Sequence, residues 1–209
     1  MSIFATPEKI IEENGDDTGL NILFLHGLEG TTSGDKAVHL KTKWNANVPV
    51  LRTESLRALQ ATHPGSEWQE MPKRAFTKAF NEVYSDVLAA LTYSPPDVIV
   101  GSSLGGALLA RLILEEKWSG ASVFLAPAIE PLLGKIELPQ IKNSVWILGE
   151  ADLVIPNAPN IQYSLLVGGN LMISAGDNHR LEAALLSGLI DNAIITALEL
   201  ENMRTSVKP

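Results

Sequence analysis

The chain has 209 residues, 45% hydrophobic and 19% charged, enough for one domain with a full core and the balance of an ordinary soluble globular protein. Its formal net charge of −8 is dispersed rather than run into a block, which argues for solubility and against a nucleic-acid surface built from clustered Lys and Arg. With no cysteine there is no disulfide, no thiol nucleophile and no thiolate-held metal.

The opening MSIFATPEKIIEENGDD lacks a basic segment followed by an apolar one, so no secretory signal is expected. The longest apolar-rich stretch, 98–114, is interrupted by Arg111 and glycines, so no membrane span is expected, and the default location is cytoplasmic. Six short apolar runs then have strand character: 20–25, 46–51, 97–102, 121–126, 144–149 and 170–175. They are continuous rather than alternating, as in strands covered on both faces. Helical patterns fall between them, a short one at 35–43 and clear ones at 73–91, 104–117 and 181–200. In 73–91 the residues Ala75, Phe76, Ala79, Phe80, Val83, Val87, Leu88 and Leu91 form one core-facing stripe. The stretch 52–72 has no clean period and reads as a long connection with one helical turn at 54–61. Alternating strands and helices predict right-handed crossovers and a three-layer α/β/α sandwich on a mostly parallel sheet of about six strands, in a single domain over 1–209.

The third run ends in GSSLGG, residues 101–106. A strand that passes directly into a helix must turn sharply, and a residue at the apex is forced into a strained conformation. Its neighbours two before and two after must then be tiny, and Gly101 and Gly105 stand at those offsets from Ser103. This G-x-S-x-G turn would lift the Ser103 hydroxyl above the sheet and aim the Leu104 amide, at a helix start, toward negative charge. The competing reading is a glycine-rich turn in a non-catalytic α/β fold. A phosphate loop is excluded because no Lys follows the glycines.

A serine hydroxyl needs a base, and the base an orienting acid. Of four histidines only His179, in AGDNHRL, follows Ser103, between the last strand and the last helix. Asp152 lies just after the strand 144–149 and is preferred as the acid to Glu150, while Asp177 is expected to stabilise its own turn. Besides Leu104, the loop HGLEG after the first strand offers the Leu28 amide as a second oxyanion donor, and Glu29 as a lesser one. Gly27 would let that loop pass close to Ser103, and His26 would hold it.

With those residues in place the chain resembles the α/β-hydrolase superfamily over roughly residues 18–200. HGLEG, GSSLGG, FLAPAI and GDNH are similar to strings of small bacterial esterases of the YqiA type. The resemblance implies Ser103 as nucleophile, Asp152 as acid and His179 as base, with no cofactor and no metal. Two features depart from it. The first two strands of a full eight-stranded sheet are missing, and Arg180 stands where an aromatic residue is common. Residues 127–143 are too few for the substrate-covering cap that members carry there, which implies an open acyl pocket. Ile129, Leu132, Leu133 and the connection 52–72 are its candidate walls. The expected activity is hydrolysis of a small or short-chain carboxylic ester or thioester through an acyl-enzyme. Amide cleavage or perhydrolysis on the same residues, and a silent scaffold that binds a partner, are the alternatives. The expected partner is a small-molecule ester, not nucleic acid or membrane; the sequence carries no signal for oligomeric state.

Overall fold

A computed structural model describes residues 19–206. The segment expected to lack a secretory signal, and residues 207–209, lie outside the described residues. Five strands, β1 (Ile22–Leu25), β2 (Val98–Ser102), β3 (Ala121–Leu125), β4 (Ser144–Gly149) and β5 (Asn170–Ser174), form one parallel sheet in chain order. Successive side chains on a strand point to opposite faces. In β1, Ile22 and Phe24 therefore join one core and Leu23 and Leu25 the other; β2 divides Val98 and Val100 from Ile99 in the same way. This is why the runs of β1 to β4 read as continuously apolar; β5, at the edge of the sheet, was expected to be covered on both faces and is only partly buried. In the register of β3 and β4, Phe124 stacks on Trp146 at 4.1 Å between ring centres.

The face carrying Ile22 and Phe24 is covered by α1 (Asp35–Trp44), α7 (Glu182–Leu186) and α8 (Leu189–Ser206). The face carrying Leu23 and Leu25 is covered by α2 (Glu54–Thr62), α3 (Lys73–Tyr93), α4 (Leu104–Leu114), α5 (Ile129–Leu133) and α6 (Asn157–Leu166). A 3-10 turn, Trp68–Glu70, lies between α2 and α3.

Of the six runs expected to be strands, 46–51 stays outside the sheet. It pairs with β1 through an isolated bridge at Asn47, whose amide donates to the Ile22 carbonyl at 2.8 Å and whose carbonyl accepts from the Phe24 amide at 2.9 Å. Pro49, two residues on, has no N–H to continue a ladder. Its position matters nonetheless. From β1 the chain moves outward over one face through α1 to Asn47, then returns over the opposite face through α2 and α3 to β2. Right-handed crossovers running in opposite directions along a sheet fall on opposite faces. The loops leaving β1 and β2 therefore diverge and open a crevice above the carboxyl ends of those strands, where such sheets take ligands.

The 181–200 helix is also divided. Gly188, at φ 75°, ends α7 and lets α8 start in a new direction across β2, β3 and β4. Among the described residues no helix is long and apolar enough to cross a membrane.

Candidate active site

Ser103 occupies the crevice at the end of β2, with φ 53° and ψ −111°. A non-glycine residue held at positive φ costs on the order of 1–3 kcal/mol, so its surroundings must fix it. Its amide donates to the Leu125 carbonyl at 2.9 Å, and its carbonyl accepts from Gly106, Ala107 and Ala128. The glycines at the expected offsets are sterically required. A Cβ on Gly101 would lie 2.5 Å from the Gly105 carbonyl oxygen, and one on Gly105 would overlap the Leu25 carbonyl. The helix behind the turn packs directly on β1 and β2 because those positions have no side chains.

His179 comes from the turn after β5 and Asp152 from the turn after β4, and the structure brings both to Ser103. The His179 Nδ1–H donates to Asp152 Oδ2 at 2.8 Å, which leaves Nε2 to accept from the Ser103 hydroxyl at 3.0 Å. Asp152 Oδ1 accepts from the Val154 and Ile155 amides at 2.8 and 2.9 Å, so the carboxylate is fixed on both oxygens. Its side chain is 1% exposed, against 20% for His179, the arrangement of a buried orienting group behind a reachable one. Glu150, two residues earlier, instead accepts from the Gly176 amide at the surface. Asp177 accepts from the Ser174 hydroxyl and from the Asn178 and Ala184 amides, tying its own turn to α7 as its position suggested. Burial alone would raise the Asp177 carboxyl, but these hydrogen bonds outweigh it and hold it below the usual carboxylate range.

Two supports were not visible in the sequence. A Cβ on Gly149 would lie 2.5 Å from the Asn178 carbonyl oxygen, so this glycine is what lets the Asp152 and His179 turns meet. Lys36, from the first turn of α1, donates through Nζ to the Arg180 carbonyl and secures the His179 turn from across the crevice. Burial pushes the Lys36 ammonium down from its ordinary value, with Asp177 and Asp35 acting in the opposite sense. Nothing in the spacing of Gly149 or Lys36 marks either role, since both depend on contacts between segments distant in sequence.

The loop after β1 approaches as the glycine at 27 suggested: a Cβ there would be 3.3 Å from that of Ser103. His26 is buried, its Nδ1–H donates to the Gly27 carbonyl at 2.9 Å, and desolvation lowers its pKa, so it is a neutral brace for the loop. Leu28 and Leu104 both line the cavity around Ser103, and among the described residues neither amide N–H meets a protein acceptor. Glu29 is exposed. Of the candidate pocket walls, Leu132 lines the cavity. Ile129 is fully buried in the core under α5 and Leu133 packs against that same core, so neither lines it. Leu56, Gln60 and Trp68, from the 52–72 connection, do line it, together with Leu153, Val154 and Ile155 beyond Asp152. The cavity measures about 800 Å³, and the connection, folded as α2 and the 3-10 turn, stands as one of its walls. Arg180 is exposed and faces Glu182 at 3.4 Å.

A parallel sheet between two helical layers, with a serine on a strained strand-to-helix turn, defines a fold that solved structures share. Similar folds include a proposed hydrolase of the alpha/beta superfamily from Xanthomonas campestris, 20% identical, covering 87% of this chain and 97% of that one at a TM-score of 0.56. A YdeN-like proposed hydrolase from Pectobacterium atrosepticum is 11% identical over 88% and 91% of the two chains, at 0.61. Est1E from Butyrivibrio proteoclasticus is 13% identical over 87% and 88%, at 0.60. The chain has the α/β-hydrolase fold. No protein-family model and no curated protein matches the sequence.

Proposed function

We propose that the protein is a serine hydrolase that cleaves carboxylic esters, thioesters included, through an acyl-enzyme on Ser103. One observation carries the reading: Ser103, His179 and Asp152, drawn from three separate turns, are joined by hydrogen bonds of 3.0 and 2.8 Å in the order the chemistry needs. His179 Nε2 takes the Ser103 proton as Oγ attacks the acyl carbon. The oxyanion that forms is held by the Leu28 and Leu104 amides, each worth on the order of 3 kcal/mol in the transition state. Collapse breaks the ester bond, and His179 returns the proton to the departing alcohol. Water, deprotonated by the same imidazole, then releases the acid. Asp152 keeps the proton on Nδ1 and stabilises the imidazolium. Support also comes from the hydrolases of like fold, and from Est1E, which binds ferulic acid, a carboxylic acid.

The test is steady-state hydrolysis of p-nitrophenyl esters. Ser103→Ala is expected to lower kcat by about six orders of magnitude, the loss that removal of such a nucleophile brings. Turnover by Ser103→Ala at the wild-type rate would place the chemistry elsewhere. A wild-type protein that turns over no ester, thioester or amide would favour the binding-scaffold alternative.

A further inference from the structure

We infer that the cavity is divided into an apolar acyl arm and a polar leaving-group arm, so that the substrate is an ester of a medium-chain, apolar acid with a polar alcohol. This deepens the ester-hydrolase reading and rests on it. The division follows from the two cores. Leu56, Leu132 and Ile155 belong to the core on the α3 and α4 face, and Leu28 and Trp68 pack against it; all five line the cavity. The other half holds the charged and polar groups Asp35 and Lys36 at the start of α1 and Asn178, Arg180 and Glu182 around α7, beside the apolar Phe24, Ala37 and Leu185 of the opposite core. Ser103 stands between the halves, at the point where the loops leaving β1 and β2 diverge.

Chemistry then assigns each half. The alcohol that departs must receive its proton from His179, so it leaves on the side of the His179 turn, among the polar groups. The acyl group lies on the other side of the Ser103 oxygen, against Leu56, Trp68 and Leu132. That side is anchored rather than loose: Gln69 donates to the Glu130 and Pro131 carbonyls, clasping the 3-10 turn to α5, and Trp68 rests on Phe76 at 5.8 Å. The arm also continues outward. Leu153 and Val154, on the turn that carries Asp152, are 97% and 66% exposed at the cavity wall. Exposed apolar side chains adjoining a buried apolar lining mark a surface that is covered when ligand is present. A cavity of about 800 Å³ is far larger than an acetyl group fills.

Each methylene that such an arm buries favours the longer chain by about fourfold. The wild-type protein is therefore expected to hydrolyse p-nitrophenyl octanoate with a kcat/KM at least about tenfold above that for the acetate. Trp68→Ala should lower this ratio by about tenfold. Val154→Asp, at a position 66% exposed, should lower it severalfold by placing a carboxylate beside the chain. A wild-type preference for acetate, or a ratio unmoved in both variants, overturns the inference. Binding separates it from the reading beneath it. In calorimetric titration of Ser103→Ala, octanamide is expected to bind at least about tenfold more tightly than butanamide. Equal affinities overturn the apolar arm. Preference for octanamide in a protein whose wild type cleaves no ester would overturn the hydrolase reading and leave the arm standing.

Discussion

The meeting of Ser103, His179 and Asp152 was readable at the level of single residues because each is constrained by order as well as type. The serine has glycines two positions to either side, the histidine is the only one after it, and the aspartate follows a strand. Their hydrogen bonds are those such an order implies. The choice of Asp152 over Glu150 now has a geometric basis, since the Glu150 carboxylate is spent on the Gly176 amide at the surface. Asp152→Asn should lower kcat by about four orders of magnitude, because an amide favours the wrong imidazole tautomer. Glu150→Gln should change it by less than about tenfold, as a surface substitution that leaves the relay intact. Turnover of short p-nitrophenyl esters, with circular dichroism to confirm folding, decides between them; a crippled Glu150→Gln beside an active Asp152→Asn would reverse the assignment. The pocket residues were less legible. Ile129, Leu132 and Leu133 are equally apolar in sequence, and only the phase of the short helix α5 sends Leu132 to the cavity and buries Ile129.

At the scale of elements, strands and long helices were legible because their apolar periods are strong, and their boundaries were not. The helix from 104 stops at Leu114 rather than Lys117, with Glu116 at φ 55° making the exit. The helix α6 carries Pro159 in its first turn, where a missing N–H is tolerated, and so had no clear signature. The connection 52–72 gave one expected turn and formed a nine-residue helix, because Leu56 is fully buried against α3 and supplies the tertiary support that a short helix lacks alone. The elbow element itself makes a sharp prediction. Gly105→Ala should destabilise the fold by more than about 3 kcal/mol, since its Cβ would overlap the backbone of β1 rather than a movable side chain. Gly65→Ala, at φ 78° with nothing near its Cβ, should cost only the backbone strain, about 1 kcal/mol. Urea denaturation midpoints compare the two, and a smaller loss for Gly105→Ala than for Gly65→Ala would contradict the packing argument.

The molecule as a whole is two cores on one sheet, and its ends are joined by a buried charge. Asp191 on α8 is 4% exposed and accepts from Trp44 Nε1 at 2.6 Å, His39 Nε2 at 3.0 Å and Lys43 Nζ at 3.0 Å, all on α1. Burial alone would raise its carboxyl; the three donors outweigh it and hold it below the ordinary value. A carboxyl depressed on folding contributes stability above its unfolded pKa of about 3.9 and loses it as pH falls through the folded value. Asp191→Asn should therefore be less stable than wild type by about 2 kcal/mol at neutral pH, and the gap should close as the pH drops below about 4. Urea unfolding at both pH values measures this, and a gap that widens on acidification would give the linkage the wrong sign. The proposed site depends on this same global arrangement, because its three side chains leave β2, β4 and β5 and meet only when the sheet is complete. The proposed chemistry turns on which serine is the nucleophile, and covalent labelling tests that most directly. A fluorophosphonate followed by intact mass and peptide mapping should add a single phosphonyl group, on Ser103, in wild type and none in Ser103→Ala, with Ser102→Ala still labelled. Modification of Ser102, or undiminished labelling of Ser103→Ala, would contradict it.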